Sequence, residues 1–579
     1  MKKIPYGIAN FEKIKENNNF YYIDKTKYIE ELENLGSQYH FFLRPRRFGK
    51  SLFISMLEHY YDMNRKHQFD ELFGDTYIGK NPTPLKNSFP VLKLNFSAIP
   101  TDGDMESIQK SFDLKIRGNI HSFYVFYPTL TGGDEQFQKD FNSIKSATDV
   151  LNEFIRIMHE CNVKYLMLID EYDNFANNIL MHHGRDKYKT LTHDVGFLRS
   201  FFAAIKNATE SRTVERMFAT GVSPLVLSDV TSGMNIGDNI SNKNLFNSMI
   251  GFNQAEVEEM LDYYISEKAV KKEERSEILE IFKINYNNYC FSEKIDEKVY
   301  NSDMILYFFN NYLQSGKIPA NLIDENVRTD YSKLKFLILE SEKLNGNFNL
   351  LSDLLKNHEI SSELVHSFAV KDLTRNENFI SLLYYLGLLT IKEQFFGSQF
   401  ILQIPNKVIK TMHYDYIRQS LRDSYDLKIN IDFLKNEFIE TAFKGSWEKL
   451  LSYILEKFYE ASSIRDFIYR EEGIKSFMMA YLNVTPLYFV ESEPEMNNGY
   501  SDIFLRKNYF TTDKTKYEYI LELKYISNTE KKKKKSLECY KNEAKEQLEN
   551  YAKSQKITCP LKKIAIICDS KKVKFLGEV

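Results

Sequence analysis

The sequence predicts an α/β protein, with a parallel-sheet core in its first half and a second α/β unit at its C-terminal end. Two observations carry the first expectation. An apolar run, Tyr39-His40-Phe41-Phe42-Leu43, enters a tight basic loop ending in Gly49-Lys50-Ser51, then an amphipathic segment marked by Leu52, Ile54, Leu57, Tyr60 and Tyr61. Far downstream, Tyr165-Leu166-Met167-Leu168-Ile169 reads as a strand buried on both faces, and it ends in Asp170 and Glu171. The second unit rests on a third observation. The segments Ser501-Asp502-Ile503-Phe504-Leu505 and Tyr517 to Tyr525 alternate in polarity across a polar turn.

Strand, tight loop and helix opening on G-K-S form the setting of a phosphate-binding loop. Gly49 lets the backbone approach phosphate oxygens, Lys50 reaches the β- and γ-phosphates, and Ser51 offers a hydroxyl to Mg²⁺ at a positive helix N-terminus. The usual pattern begins with a Gly five residues before Gly49, where this chain has Arg44, and Pro45, Arg46 and Arg47 fill the loop. The nucleotide-binding candidates are therefore Arg46, Arg47, Phe48, Gly49, Lys50, Ser51 and Leu52. The alternative is a basic strand-to-helix turn with a chance G-K-S.

The carboxylates after the second strand weigh against chance. An acidic residue at the C-terminal end of a parallel strand sits at the mouth of the sheet, where α/β folds bind ligands. There Asp170 would hold Mg²⁺ and Glu171 would orient or deprotonate the attacking water. Upstream, Phe20 to Thr26 could lie against the nucleotide base; the favoured alternative is that Asp24 and Thr26 simply cap the helix carrying Tyr28, Ile29, Leu32 and Leu35. Pro90 to Ser97 reads as a further buried strand, followed by mostly helical sequence to about Cys161. A strand over Met217 to Ser223 puts Thr220 or Ser223 at its end, to contact the γ-phosphate or to cap the next turn.

Composition bounds the rest. At 579 residues the chain is too long for one core. Hydrophobic residues at 43% and charged residues at 27% are ordinary for a globular protein, and the net charge of -3 means that any nucleic-acid contact must be local. The five scattered cysteines include no C-x-x-C, which argues against a disulfide framework or a zinc site. The N-terminus turns polar before an apolar leader core can form, and no apolar run approaches membrane-spanning length. A cytoplasmic location with no membrane partner is expected.

From about 255 to 425 the pattern is helical with few breakers. A helix over Leu382 to Ile391, a turn at Phe395 to Gln399, and a short hairpin through Phe400 to Pro405 outline a winged helix, a unit that could bind DNA or serve as a packed lid of the ATPase; the lid is favoured because neither element is basic. In the C-terminal unit, strand alternation puts Glu522 and Lys524 on one face, and a hairpin would bring Asp502 alongside. Two carboxylates and a lysine at one point suit Mg²⁺ with a cation for the nucleophilic water or the phosphate. The E-x-K spacing alone is weak, since a solvated strand produces it often. The polar turn Glu491 to Tyr500 and a following helix with Gln547 and Tyr551 on one face strengthen it. The run Lys531 to Lys535 is a solvated loop or a track for a phosphate backbone.

Taken together, R-P-R-R-F-G-K-S-L, L-M-L-I-D-E-Y-D, F-A-T-G-V-S and G-F-N-Q-A-E-V, with Phe20 to Thr26, resemble the bacterial AAA-ATPase-like family. Members of that family typically join this ATPase to a C-terminal PD-(D/E)XK nuclease domain. The likeness continues through Asn321 to Tyr331 and Ile380 to Thr390, and so covers nearly the whole chain. It implies that R-P-R-R-F is a usual form of the loop. It also makes Arg470 to Ala480 the first nuclease helix, with Glu471, or Glu472 by a one-residue shift, supporting the metal.

The expected architecture is a P-loop NTPase parallel sheet at 1–285, a helical and winged-helix-like region at 286–428, and a restriction-endonuclease-like α/β domain at 429–579. The expected function is a nuclease controlled by ATP. Its metal ligands would be Ser51 and Asp170 in one centre and Asp502 and Glu522 in the other; its catalytic groups would be Glu171, Glu471, Asp502, Glu522, Lys524 and Gln547, with Thr220 at the nucleotide. ATP and Mg²⁺ are the implied cofactors and nucleic acid the implied partner, DNA ahead of RNA, with self-association left open. Defence against mobile elements is suggested only by association with the domain pairing. The rivals are a nucleotide-switched binding protein that grips nucleic acid with an inactive nuclease fold, and a nuclease whose P-loop is a relic.

Overall fold

The computed structural model describes all residues except 132–145, 194–195, 231–236, 294–296, 320, 328–338, 341–342, 345, 374, 426, 461–470, 498, 510–513 and 527–535. Part of the Asn321 to Tyr331 stretch and all of Lys531 to Lys535 therefore lie outside the described residues. The chain forms two compact units, one from 1–334 and 360–407, the other from 335–359 and 408–579. It passes between them three times, and the region 286–428 is divided between them. Among the described residues no helix is long and apolar enough to cross a membrane.

The first unit is built on a five-stranded, all-parallel sheet in the order β2-β3-β4-β1-β5. Its strands are β1 (Tyr39–Leu43), β2 (Val91–Asn95), β3 (Tyr165–Asp170), β4 (Val214–Gly221) and the two-residue edge β5 (Asp238–Asn239). Every residue of β3 is buried, as its unbroken apolar run requires of a central parallel strand covered on both faces. Parallel neighbours need crossovers, and the chain supplies helices: α1 (Lys50–Tyr61), α2 (Met105–Phe126), α3 (Ala147–Glu160) and α4 (Phe197–Glu210). Asp104 and Ser146 cap the starts of α2 and α3 by accepting from Ser107 N and Asp149 N.

Because β4 lies between β1 and β3, three strand ends meet at one mouth. The loop after β1, the carboxylates after β3 and the hydroxyl at the end of β4 converge there. Further along, α5 (Ser302–Ser315) is capped by Asn301. The strands β6 (Glu359–Glu363), β7 (Thr390–Phe396) and β8 (Gln399–Gln403) form a small sheet in the order β6-β8-β7. The helix expected over Leu382 to Ile391 lies instead at α6 (Asn376–Tyr385), and Thr390 and Ile391 already belong to the β7–β8 hairpin. The third strand, β6, was missed: its E-I-S-S-E pattern carries little apolar signal.

The second unit has a five-stranded mixed sheet. In sheet order its strands are β9 (Tyr488–Ser492), β10 (Ile503–Lys507), β11 (Glu518–Ile526), β12 (Leu561–Asp569) and β13 (Val573–Glu578). The β10–β11 pair is the antiparallel hairpin expected from the sequence, with Ile503 opposite Leu521 and Leu505 opposite Tyr519. β11 and β12 are parallel, and the crossover between them contains α8 (Leu537–Tyr551). A further helix, α7 (Glu471–Leu482), precedes β9. Ala544, Leu548 and Tyr551 of α8 pack with Phe504, Ile520 and Ala565 of the sheet. By the two-residue period of a strand, Asp502 shares the face of Phe504, and Glu522 and Lys524 share that of Ile520. All three site residues therefore lie on the face covered by α8.

Candidate functional site

The loop after β1 has two residues in the left-handed region, Arg47 at φ 65° and Gly49 at φ 101°. Gly49 is the N-cap of α1, so successive amides there are aimed outward from a positive helix end, which suits an anion. A Cβ at Gly49 would meet nothing nearer than Ser302 Oγ at 4.0 Å; conformation, not space, requires the glycine. Arg44 keeps a negative φ, and its side chain turns inward. Its guanidinium donates to the carbonyls of Leu43, Ser241 and Phe246 and lies over the rings of Phe42 and Phe291. Burial draws its pKa down to about 10. The place of the missing first Gly is thus occupied without a backbone penalty.

Lys50 is buried and spans the loop, its Nζ donating to the carbonyls of Arg44 and Pro45 at 2.9 Å each. An ammonium has a further N–H for a ligand. Burial lowers its pKa, opposed by Glu171, Asp173 and Asp170. Phe48 anchors the loop, edge-on to Tyr289 and Phe291, while its carbonyl accepts from Gly251 N. The Arg47 guanidinium reaches Asp303 at 3.3 Å and Asp324 at 3.9 Å, tying the loop to α5.

Thr220 at the end of β4 donates to Asp170 Oδ1 at 2.8 Å. Ser223 instead donates, with its amide and hydroxyl, to Asp173 Oδ2. Of the two hydroxyls, Thr220 is thus tied to Asp170 and Ser223 to the turn at Asp173. Asp173 also accepts from Val222 N and Asn177, and so ties the end of β3 to the loop after β4. Glu171 has φ 53°, a left-handed geometry that strains a non-glycine residue at a sheet mouth. It accepts from Asn174 Nδ2 at 2.9 Å, a partner one helical turn on that the sequence reading passed over. Burial raises the Glu171 pKa and Lys50 opposes the rise.

Arg46, Arg47, Phe48, Gly49, Lys50, Ser51 and Leu52 line a cavity of about 480 Å³ together with Glu171 and Asn174. Tyr21, Tyr22, Ile23 and Lys25 line it too, so the stretch Phe20 to Thr26 does reach this site. Thr26 is not a side-chain cap. Its Oγ1 accepts from Ile78 N, while Asp24 accepts from Thr26 N.

In the second unit, Asp502 Oδ2 accepts Leu523 N at 2.7 Å, fixing it against β11. Glu522 is almost fully buried; its Oε1 accepts Lys524 Nζ at 2.8 Å, and its Oε2 has no hydrogen-bond partner. Glu471 reaches in from α7 and accepts Tyr525 N at 3.2 Å. Gln547 sits one remove away, 3.5 Å from Tyr551 Oη, and Tyr551 feels the charges of Glu522, Lys524 and Asp502. Of the Glu472 side chain nothing is described.

Residues 5–231 match a family model described as a predicted AAA-ATPase, and residues 469–578 match one described as PD-(D/E)XK nuclease superfamily. The chain joins an AAA-ATPase-like domain to a PD-(D/E)XK nuclease-superfamily domain. A relative from Azotobacter chroococcum, an uncharacterised protein in the vnfD 5' region, is 26% identical over 466 residues, covering 77% of this chain and 78% of its own. The Walker-type ATPase of Pyrococcus abyssi aligns at TM-score 0.40 and 12% identity, over 71% of this chain and 98% of that structure.

The electrostatics of the nuclease-superfamily domain bear on a metal. Burial and the Asp502 charge push the Glu522 carboxyl up to about 7, and the same two causes raise Glu471. Burial draws the Lys524 ammonium down, but Glu522 and Asp502 more than offset this and hold it above the usual lysine value. The carboxylates thus repel one another although Lys524 is present. A buried, unpartnered carboxylate oxygen beside a second carboxylate is a donor set that fits a hard divalent cation, held by Asp502 and Glu522. Among the described residues, no three His, Cys, Asp or Glu side chains stand close enough to hold one without adjustment. Ammonium groups occupy part of that space. Besides Lys524, Lys475 on α7 puts its Nζ 2.7 Å from Glu493 Oε1 and 3.4 Å from Asp502 Oδ1. The sequence reading named neither Lys475 nor Glu493 as a site residue. The one available signal was the four-residue spacing from Glu471 to Lys475, which puts both on one helix face.

Proposed function

We propose that this protein binds and hydrolyses ATP in its AAA-ATPase-like domain, and that nucleotide controls cleavage of phosphodiester bonds in nucleic acid, DNA ahead of RNA, by its nuclease-superfamily domain. What supports the reading is that each matched segment contains a charged centre of the appropriate chemistry. One is a phosphate-binding loop opening on a cavity beside Glu171; the other is a carboxylate and lysine cluster with an unpartnered buried oxygen.

In the first centre Lys50 neutralises the β,γ-phosphate charge, and the amides around Gly49 cradle the oxygens. Ser51 and Asp170 would hold the Mg²⁺ that accompanies ATP, and Thr220 keeps Asp170 in place. Glu171, raised by burial and oriented by Asn174, takes the proton of the attacking water. In the second centre Asp502 and Glu522 would hold a divalent cation, which when bound supplies the positive charge that activates water and polarises the scissile phosphate. Lys524 adds a cation beside Glu522, Glu471 completes the acidic wall, and Gln547 orients Tyr551.

The test is incubation of the purified chain with plasmid DNA and with RNA, with and without Mg²⁺ and ATP, alongside three variants. Lys50→Ala should abolish nucleotide binding. Glu171→Gln should bind ATP but hydrolyse it about 10²–10⁴-fold more slowly. Asp502→Ala should abolish cleavage while leaving nucleic-acid binding. Unchanged ATP affinity and turnover in Lys50→Ala would remove the nucleotide half of the reading. One observation favours a second reading: the lysines that occupy the carboxylates, with no ready three-carboxylate set among the described residues, suit a nucleotide-switched protein that binds nucleic acid without cutting it. Binding without cleavage by the wild type under every metal and nucleotide condition would select that reading.

A further inference from the structure

Lys475 has no role in the cleavage chemistry proposed above, yet it is the more deeply buried of the two lysines at the cluster. Its side chain is 7% exposed, against 22% for Lys524. A buried ammonium is tolerated only against negative charge, and Lys475 has two carboxylates, one from the turn after β9 and one from the start of β10. Its distances are unequal: 2.7 Å to Glu493, 3.4 Å to Asp502. Glu493 is itself 44% exposed, whereas Asp502 is pinned by Leu523 N. The ammonium therefore has a place to retreat to on the solvent side, while Asp502 is held by the Leu523 amide.

Counting charge gives the reason for such a group. Fully ionised, Glu471, Glu493, Asp502 and Glu522 would set four negative charges against the two ammoniums of Lys475 and Lys524, leaving two over. One divalent cation would balance them, and its nearest competitor for Asp502 Oδ1 is the Lys475 ammonium.

We propose that Lys475 is an internal counter-ion of the nuclease centre: it neutralises Asp502 in the metal-free protein, yields that oxygen by shifting to Glu493 as a divalent cation enters, and so sets the affinity for the cation. This rests on the reading of Asp502 and Glu522 as the cation's ligands. Lys475 is on these terms a positioning residue, and Glu493 is its acceptor.

The experiment is calorimetric titration of Mn²⁺ into the full-length, metal-free protein without nucleotide, with Asp502→Asn as the background to subtract. Lys475→Met removes the competitor and should tighten Mn²⁺ by about tenfold. Glu493→Gln takes away the retreat and should weaken it several-fold, and Lys475→Arg should stay near wild type. A melt in chelator accompanies each variant, and Lys475→Met should melt lower without metal, because Asp502 and Glu493 then repel unopposed. Should Lys475→Met fail to fold, Glu493→Gln decides alone. Unchanged or tighter Mn²⁺ binding in Glu493→Gln, or weaker binding in a folded Lys475→Met, overturns the counter-ion role while leaving the metal ligands standing. No Mn²⁺ binding by wild type beyond the Asp502→Asn background overturns the ligand assignment and this inference with it.

Discussion

Arg47 holds a left-handed backbone at φ 65° in the phosphate loop, and its guanidinium is committed to Asp303 at the start of α5. Burying Asp303 has a measurable cost that this pairing only partly offsets. Burial raises the Asp303 carboxyl, Arg47 draws it back and Asp324 pushes it up again, leaving it at about 6. A carboxyl raised on folding contributes its full stability below its unfolded value of about 4, and loses it as pH rises through its folded value. Stability of the metal- and nucleotide-free protein should therefore fall by about 1–3 kcal/mol between about pH 4 and pH 6 on account of this one group. Asp303→Asn should flatten that part of the profile in chemical denaturation; an unchanged slope would show that Asp303 is not the titrating group. Glu171 allows a sharper test. Its φ of 53° costs a non-glycine residue about 1–2 kcal/mol, so Glu171→Gly should keep or raise the melting temperature while ATP hydrolysis is lost. At this scale sequence spacing put Lys50, Asp170, Glu171, Asp502, Glu522 and Lys524 in or beside the loop and strand ends where the structure has them, because local patterns fix where such side chains emerge. It did not find the Lys475 contacts, whose partners lie 18 and 27 residues away and depend on how α7 seats against the sheet. Nor could a motif show that Arg44 turns inward between two rings.

Among the elements, the order β2-β3-β4-β1-β5 puts the end of β4 between the phosphate loop and Asp170. Thr220 is therefore a strut whose hydroxyl holds the Asp170 carboxylate. Thr220→Val keeps the shape and removes the 2.8 Å hydrogen bond, so ATP hydrolysis should fall while the fold stays intact. Equal turnover in Thr220→Val and wild type would leave Thr220 a packing residue. In the second unit, α8 is held by Ala544, Leu548 and Tyr551 over the face that also presents Glu522. Leu548→Ala should cost about 2–5 kcal/mol by opening a cavity there, read from urea unfolding. The strands β1, β3 and β10–β11 were legible because their apolar or alternating runs are long. β12 was not, because its parallel partner β11 ends 35 residues before it begins, and no local pattern reports a pairing made across a helix.

For the molecule as a whole, two compact units predict a response to nucleotide confined to one of them. Saturating ATP and Mg²⁺ at about 100 times the dissociation constant should stabilise the unit containing the phosphate loop by about 2.7 kcal/mol, seen as a rise in its melting transition. The rise should vanish in Lys50→Ala. A shift of equal size in Lys50→Ala would place the nucleotide elsewhere.

The threading of the chain has a consequence for anyone who cuts it. The second unit takes 335–359 from before the strands β7 and β8 and the rest from 408 onward, so no single scission frees either unit whole. The helix Gly346–Asn357, which buries Leu351, Leu354 and Leu355 and packs on α7, would leave with the wrong fragment if the chain were divided at residue 407. A truncated gene product beginning there should expose the apolar side chains that this helix covers and precipitate, and adding the 335–359 peptide in trans should restore solubility. The interleaving means that a truncation which spares the motifs of one unit can still unfold it.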